Sequence, residues 1–168
     1  MGDDRRQQVL LGALRAERDG HQFYLTASSQ SEDRGAKELF EQLAGEERRH
    51  LDALRKEYRS LLDGAGWDPS IDLGDRWSPP ASGIFSEDFR RRIGEAHFEM
   101  SALSIGILLE KNAEAFYRKA AEEETDPAAR RFLGELADWE RGHYEMLLRE
   151  DEALRDDYWN ANRFSPLL

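Results

Sequence analysis

Two short motifs in this sequence place a carboxylate and an imidazole three residues apart. The first is Glu47-x-x-His50 and the second is Glu140-x-x-His143. Residues three apart on a helix share a face, so each motif offers two side chains that can bind one metal ion together. One copy would be weak evidence, because this spacing arises by chance in many helices. The two copies are separated by 143 − 50 = 93 residues and belong to a longer repeat.

The repeat extends over most of two hairpin-sized segments. Glu17 recurs as Glu110 at the same offset, and Phe23-Tyr24 recurs as Phe116-Tyr117. An offset that holds without gaps from about residue 14 to about residue 54 predicts one helical hairpin duplicated once. The same offset relates three further pairs: Leu43-Ala44 and Leu136-Ala137, Asp33 and Asp126, and Leu54 and Leu147.

The first hairpin is predicted to span about residues 4–62. Apolar residues at steps of three and four predict two helices, the second beginning after Asp33 as its N-cap. Glu17 lies on the apolar stripe of the first helix, and Glu47 and His50 interrupt that of the second. A turn near residue 32 places Glu17 and Glu47 at the same height, each about 22 Å from the turn. The three side chains should therefore meet.

The second hairpin is predicted over about residues 100–155, after a crossover at residues 63–99. Asp126-Pro127 is a strong helix start, and Glu110 and Glu140 are again equally far from the turn before it. Ser86-Glu87-Asp88 begins a short extra helical segment within the crossover. The pattern predicts one all-α domain over residues 1–168, a ferritin-like four-helix bundle with a long crossover. The crossover cannot be one regular helix, because it holds Gly64, Gly66, Pro69, Gly74, Pro79, Pro80 and Gly83. It also holds Trp67, Ile71 and Trp77, so we expect it to pack against the bundle.

Composition narrows the classes of function. The net charge is −11, which argues against a nucleic-acid partner. The chain has no cysteine, which excludes disulfides, zinc–thiolate sites and iron–sulfur clusters. The charged N-terminus has no apolar segment after it, and the longest apolar stretch, residues 102–109, is too short to span a bilayer. We therefore expect a cytoplasmic protein without a membrane partner.

The inward ionisable residues form a donor set suited to two metal ions. One glutamate from each of two helices plus a Glu-x-x-His from each of the others is the di-iron or di-manganese arrangement of helical bundles. Four carboxylates also balance the charge of two divalent cations. Oxygen-rich ligation with one imidazole per metal suits iron or manganese, and zinc is also compatible. The predicted metal ligands are Glu17, Glu47, His50, Glu110, Glu140 and His143.

These motifs resemble those of the rubrerythrin and ferritin-like di-iron superfamily, in particular its stand-alone rubrerythrin-type domains. The first half carries Glu17-x-x-Gly20-x-x-Phe23-Tyr24 and Leu43-Ala44-x-x-Glu47-x-x-His50. The second half carries Glu110-x-x-Ala113-x-x-Phe116-Tyr117 and Leu136-Ala137-x-x-Glu140-x-x-His143. The resemblance implies two iron ions bridged by Glu47 and Glu140, with one histidine completing each ion. It also implies a homodimer that reduces hydrogen peroxide or oxidises ferrous iron.

The chain departs from full-length rubrerythrins, which carry a rubredoxin domain that a cysteine-free chain cannot build. Electrons would therefore come from an external donor such as a rubredoxin-like protein or a flavoprotein. Glu114 and His21 lie on helix faces next to the predicted ligands and are candidates for an extra ligand or a supporting hydrogen bond, although for His21 a structural contact is favoured. Tyr24 and Tyr117 are interpreted as core aromatics that hydrogen-bond ligand carboxylates rather than as redox tyrosines. Solvated positions are expected for Glu46 and for Glu122, Glu123 and Glu124.

Three functions remain open from the sequence. The first is a di-iron oxidoreductase that acts on peroxide or dioxygen. The second is iron handling, in which ferrous iron is oxidised for storage or delivery. The third is a structural or interaction protein that keeps its metal for stability alone. Faster oxidation by peroxide than by dioxygen favours the first, an iron-filled shell favours the second, and an inert metal favours the third.

Overall fold

The computed structural model describes residues 2–76, 78 and 84–161 and contains the predicted bundle of two helical hairpins. The helices are α1 at Asp3–Gln30, α2 at Arg34–Leu62, α3 at Glu87–Arg91, α4 at His97–Glu123 and α5 at Pro127–Ala161. Helix α1 packs along α2, and α4 packs along α5. The short helix α3 and a 3₁₀ turn at Ile93–Glu95 precede the second hairpin, and no strand occurs in the described residues. The all-α ferritin-like prediction is confirmed.

Both predicted N-caps are present. The Asp33 carboxylate accepts a hydrogen bond from the Ala36 N–H at 2.9 Å, at the start of α2. The Asp126 carboxylate accepts one from the Ala128 N–H at 2.8 Å, at the start of α5. Each cap satisfies an amide that the first turn of a helix leaves without a partner. These caps mark where each hairpin turns, and so align the two helices of the hairpin.

Helix α5 runs to Ala161, beyond the predicted end near residue 155. The added turns have their own packing partners. A Cβ on Gly94 would lie 3.1 Å from the Ala161 Cβ, so the 3₁₀ turn sits directly against the end of α5. The Tyr158 hydroxyl lies 2.8 Å from Nδ1 of His97, the first residue of α4. These tertiary contacts stabilise helical turns that have no repeat mate in the first hairpin.

The crossover packs against the bundle, as predicted. Trp67 is only 8% exposed and contacts the Phe132 ring of α5. At the other end the Ser86 hydroxyl donates a hydrogen bond to Asp33 at 2.8 Å. Gly35 is required there, because a Cβ would lie 2.0 Å from the Ile84 carbonyl oxygen. Trp77, also expected to pack here, lies outside the described residues.

The apolar core is divided into two clusters, one on each side of a polar centre along the bundle axis. The first includes Tyr24, Phe40 and Leu103. The second includes Leu10, Leu54, Tyr117, Leu133 and Leu136. Among the described residues no helix is both long and apolar enough to cross a bilayer. The polar centre between the clusters is where the predicted ligands lie.

Candidate metal centre

The six predicted ligands meet in the middle of the bundle and are all almost fully buried. Their donor atoms form two groups, and within each group all atoms lie within 4.8 Å of one another. The Glu47 and Glu140 carboxylates belong to both groups, so the two groups lie side by side and have these two side chains in common. The first group contains Glu17, Glu47, His50 and Glu140, and the second contains Glu47, Glu110, Glu140 and His143.

Both imidazoles present Nδ1 to the carboxylates. Nδ1 of His50 lies 3.3 Å from Glu17 Oε2 and 3.1 Å from Glu140 Oε1. Nδ1 of His143 lies 3.4 Å from Glu110 Oε2 and 3.5 Å from Glu47 Oε1. The two rings are nearly parallel, with centroids 5.8 Å apart. Each hairpin therefore supplies one imidazole nitrogen to a common cluster of oxygens.

Several buried atoms at this centre have no hydrogen-bond partner among the described residues. They are Nδ1 of both histidines and one oxygen each of Glu17, Glu47 and Glu140. A buried polar atom without a partner is costly, and converging carboxylate oxygens repel one another. Two divalent cations would satisfy these atoms and neutralise the four carboxylates. The donor set therefore fits a pair of metal ions of the kind that accept oxygen and imidazole ligands.

Burial and neighbouring charges shift the pKa values of the six side chains at this centre. Burial, together with repulsion from Glu47, raises the pKa of Glu17 and Glu110 well above the usual range. Burial also acts upward on Glu47 and Glu140, but the imidazoles and other hydrogen-bonding neighbours outweigh it and lower the pKa of both, for Glu140 to about 2. Burial disfavours charged histidine, yet the surrounding carboxylates raise the pKa of His50 and His143. Glu17, Glu110 and both imidazoles therefore retain protons to higher pH than free side chains do.

Two tyrosines link the hairpins at this centre. The Tyr24 hydroxyl on α1 donates a hydrogen bond to Glu110 on α4, and the Tyr117 hydroxyl on α4 donates one to Glu17 on α1. The tyrosines are fully buried, and burial next to these carboxylates raises the pKa of both phenols. They therefore remain protonated donors. The sequence suggested such hydrogen bonds, and the structure shows that each one crosses to the opposite hairpin.

The two candidates for an extra ligand lie outside both groups. Nδ1 of His21 is 2.8 Å from the Ala44 carbonyl oxygen, which joins α1 to α2. Glu114 is partly exposed and lies 3.5 Å from the Arg118 guanidinium. The favoured reading of His21 as a structural contact agrees with this placement.

The expectation of solvated positions is wrong for Glu46 and Glu124. Glu46 is 3% exposed, and its Oε2 lies 2.6 Å from Nε2 of His143. Glu124 is 1% exposed and forms an ion pair with Arg6 at 2.8 Å. Successive side chains on a helix point about 100° apart around its axis. Glu46 therefore points in a different direction from Glu47, and this direction is toward α5 rather than toward solvent. Its repeat mate is Trp139, an apolar residue, and that pairing was the signal in the sequence for an inward face.

An opening between α1 and α4 leads to the centre. It has a volume of about 320 Å³ and reaches the carboxylates of Glu17, Glu47, Glu110 and Glu140. The opening is large enough for a small molecule to reach the carboxylates from outside. The walls are mostly apolar and are formed by Ala16, Gly20, Leu109, Ala113 and Phe116, with Asp19 and Asn112 completing the lining.

Comparison with known proteins gives one match. A family model described as Rubrerythrin matches residues 8–150, a range that contains both Glu-x-x-His motifs, Glu17 and Glu110. Neither a curated protein nor a solved structure matches the chain significantly.

Proposed function

The chain belongs to the rubrerythrin family, and we propose that its buried centre holds two iron ions and reduces hydrogen peroxide to water. The observation that carries this proposal is the pair of adjacent donor groups that share Glu47 and Glu140. A centre for one cation would not need two carboxylates common to two complete donor sets. Manganese fits the same donors, so the metal itself is part of the proposal.

The ligand assignment follows the two groups. Glu17 and His50 would hold one ion, Glu110 and His143 would hold the other, and Glu47 and Glu140 belong to both donor groups. Two ferrous ions, when bound, supply two electrons to an O–O bond together, which avoids a one-electron radical product. Reduction of one peroxide to two waters consumes two electrons and two protons. The electrons return from an external donor, such as a rubredoxin-like protein or a flavoprotein.

The protein contributes access, orientation and exclusion of bulk water. The opening between α1 and α4 admits peroxide past the apolar side chains of Leu109 and Phe116. The Tyr24 and Tyr117 hydroxyls each hold a proton against a terminal carboxylate and keep that carboxylate in one orientation. The apolar clusters on either side exclude water from the rest of the centre.

A ferroxidase that handles iron is the second candidate. The observation that favours it is Asp19, an exposed carboxylate at the opening. Arg18 pairs with Asp19 at 2.9 Å and offsets part of this charge, but the net charge of −11 still attracts a ferrous ion, whereas peroxide is neutral and gains nothing from it. The two functions use the same centre and differ in which molecule oxidises it and in whether iron leaves afterwards.

The test is anaerobic loading of the apoprotein with ferrous iron, followed by rapid mixing with peroxide or dioxygen. Two irons per chain and faster growth of the near-ultraviolet oxo-bridged absorption with peroxide would support the peroxidase. Faster growth with dioxygen would support the ferroxidase, and iron that binds without reacting would leave a structural role. Glu140→Ala should lose iron binding, while Glu135→Ala, at an exposed position of the same helix, should keep it. Retained binding in Glu140→Ala would contradict the di-metal assignment.

A further inference from the structure

The repeat is broken at the position directly before each of the two shared glutamates. Glu46 directly precedes the ligand Glu47 in the first half, but Trp139 directly precedes Glu140 in the second half. Both side chains are buried, at 3% and 5% exposure. A carboxylate and an indole therefore occupy equivalent places in an otherwise paired centre.

Glu46 contacts His143 at Nε2, the ring nitrogen that points away from the ligand carboxylates. Its Oε2 lies 2.6 Å from Nε2 of His143, and its Oε1 accepts a hydrogen bond from Arg49 at 3.0 Å. An ionised carboxylate only accepts hydrogen bonds. Nε2 of His143 must therefore carry the proton and donate it. Nδ1 then faces the carboxylates and can ligate a metal ion that displaces its proton, which is the orientation that a metal ligand needs.

Nε2 of His50, the equivalent ring nitrogen, has different surroundings. Nε2 of His50 is buried and has no hydrogen-bond partner among the residues that the structure describes. The Trp139 ring stands perpendicular to the imidazole, with centroids 5.0 Å apart. An indole provides an N–H donor and no acceptor for a ring N–H. Trp139 therefore cannot set the tautomer of His50 as Glu46 sets that of His143.

We infer that Glu46 is a positioning residue for His143 and makes the two metal positions unequal, so that the Glu110–His143 position binds a divalent ion more tightly than the Glu17–His50 position. The inference rests on the proposed di-metal centre. The carboxylate fixes the ring orientation before metal arrives, keeps the remaining proton on Nε2 once Nδ1 loses its own, and makes the imidazole a better donor. Partners of this kind typically change metal affinity by about 10- to 100-fold.

Two variants, each lacking one histidine ligand, allow the metal affinity of each position to be measured separately. His50→Ala keeps the Glu110–His143 position intact, and His143→Ala keeps the Glu17–His50 position. Cobalt(II) is the probe, with binding followed by calorimetry and by its visible absorption. We expect His50→Ala to bind cobalt about 10- to 100-fold more tightly than His143→Ala. Equal affinities, or the reverse order, would overturn the inference.

Adding Glu46→Gln to each variant tests the cause. In the His50→Ala background we expect a loss of about tenfold or more in cobalt affinity. In the His143→Ala background the imidazole that Glu46 contacts is already absent, so the effect should be small. A merely structural role would weaken both backgrounds equally, and that result would overturn the inference. Thermal melting of each apoprotein shows whether it is folded, and the comparison of the two histidine variants holds even if Glu46→Gln fails to fold.

A spectroscopic measurement reports the hydrogen bond itself. In cobalt-loaded His50→Ala, the paramagnetically shifted Nε2 proton of His143 should exchange slowly with solvent, because Glu46 binds it. The same proton should exchange faster after Glu46→Ala, and unchanged exchange would overturn the role of Glu46.

If wild-type protein binds no metal, the di-metal centre and this inference both fail. If it binds two ions with no difference between the variants, only this inference fails.

Discussion

The phenol of Tyr24 on α1 donates a hydrogen bond to the carboxylate of Glu110 on α4, and so joins two helices whose backbones make few contacts. Its repeat mate Tyr117 returns the same hydrogen bond to Glu17. Each hairpin therefore supports a glutamate of the other hairpin. Gly106 makes room for this arrangement, because a Cβ there would lie 3.1 Å from the Tyr24 hydroxyl. The two hairpins are consequently coupled at the metal centre.

Removing the Tyr24 hydroxyl should weaken metal binding. In Tyr24→Phe the Glu110 carboxylate loses the donor that orients it, and we expect affinity to fall by about tenfold. Calorimetric titration with a divalent metal measures the change. Tyr58→Phe, at a partly buried tyrosine of the second apolar cluster, is the matched control and should leave affinity unchanged. Equal losses in the two variants would show that the hydroxyl has no specific role.

Metal binding should release protons and should strengthen as pH rises. Without metal, Glu17, Glu110, His50 and His143 retain protons to higher pH than free side chains do, because their pKa values are all raised. Two divalent cations must displace these protons, so binding should release about four protons per chain when all four are present beforehand. Raising the pH removes the competing protons and increases affinity.

Calorimetry in buffers with different ionisation enthalpies gives the number of protons released. A centre whose histidines and carboxylates were already in their ligating forms would release almost none. That result would contradict the raised pKa values of these four side chains.

Closing the opening between α1 and α4 should slow the reaction without changing metal content. Ala113 lines the wall of the opening and is partly exposed. A leucine at this position would occupy space through which peroxide passes. We expect Ala113→Leu to bind two irons and to react more slowly with peroxide in stopped-flow mixing. Ala115→Leu places the same change at an exposed position of α4 and should react at the wild-type rate.

Glu57 should make the protein less stable as the pH rises. This carboxyl is 1% exposed, and burial raises its pKa to about 7, although it accepts a hydrogen bond from the Asp68 N–H at 3.1 Å. The folded state thus retains a proton that the unfolded state releases near pH 4.5. The stabilising effect of that proton is complete below about pH 4.5 and is lost as the pH rises through about 7.

Glu57→Gln keeps the acceptor for Asp68 and removes the charge. Relative to wild type, the variant should gain on the order of 1–3 kcal/mol in the free energy of unfolding between pH 5 and pH 8. Urea denaturation at the two pH values measures this difference. Glu41→Gln, at an exposed position of the same helix, should show little change. A constant difference between Glu57→Gln and wild type at both pH values would contradict the raised pKa.

Much of the fold followed from local patterns. The N-caps at Asp33 and Asp126 and the helical periodicity are properties of short segments, so they were readable without the tertiary structure. The end of α5 was not, because its last turns depend on contacts with the distant residues Gly94 and His97. When a helix end depends on packing against distant residues, the sequence near that end does not show where the helix stops.

The meeting of Glu17, Glu47 and His50 with their repeat mates could be predicted from the sequence, since a duplicated pattern on helices of known rise specifies the axial position of each residue. The lateral contacts of these residues could be read only from the packed bundle. It showed that Tyr24 and Tyr117 support the opposite hairpin, and that Glu46 lies against His143 instead of in water. The physical reason is that helical periodicity gives the direction of a side chain around its own axis, whereas its partner depends on how the neighbouring helices are placed and rotated.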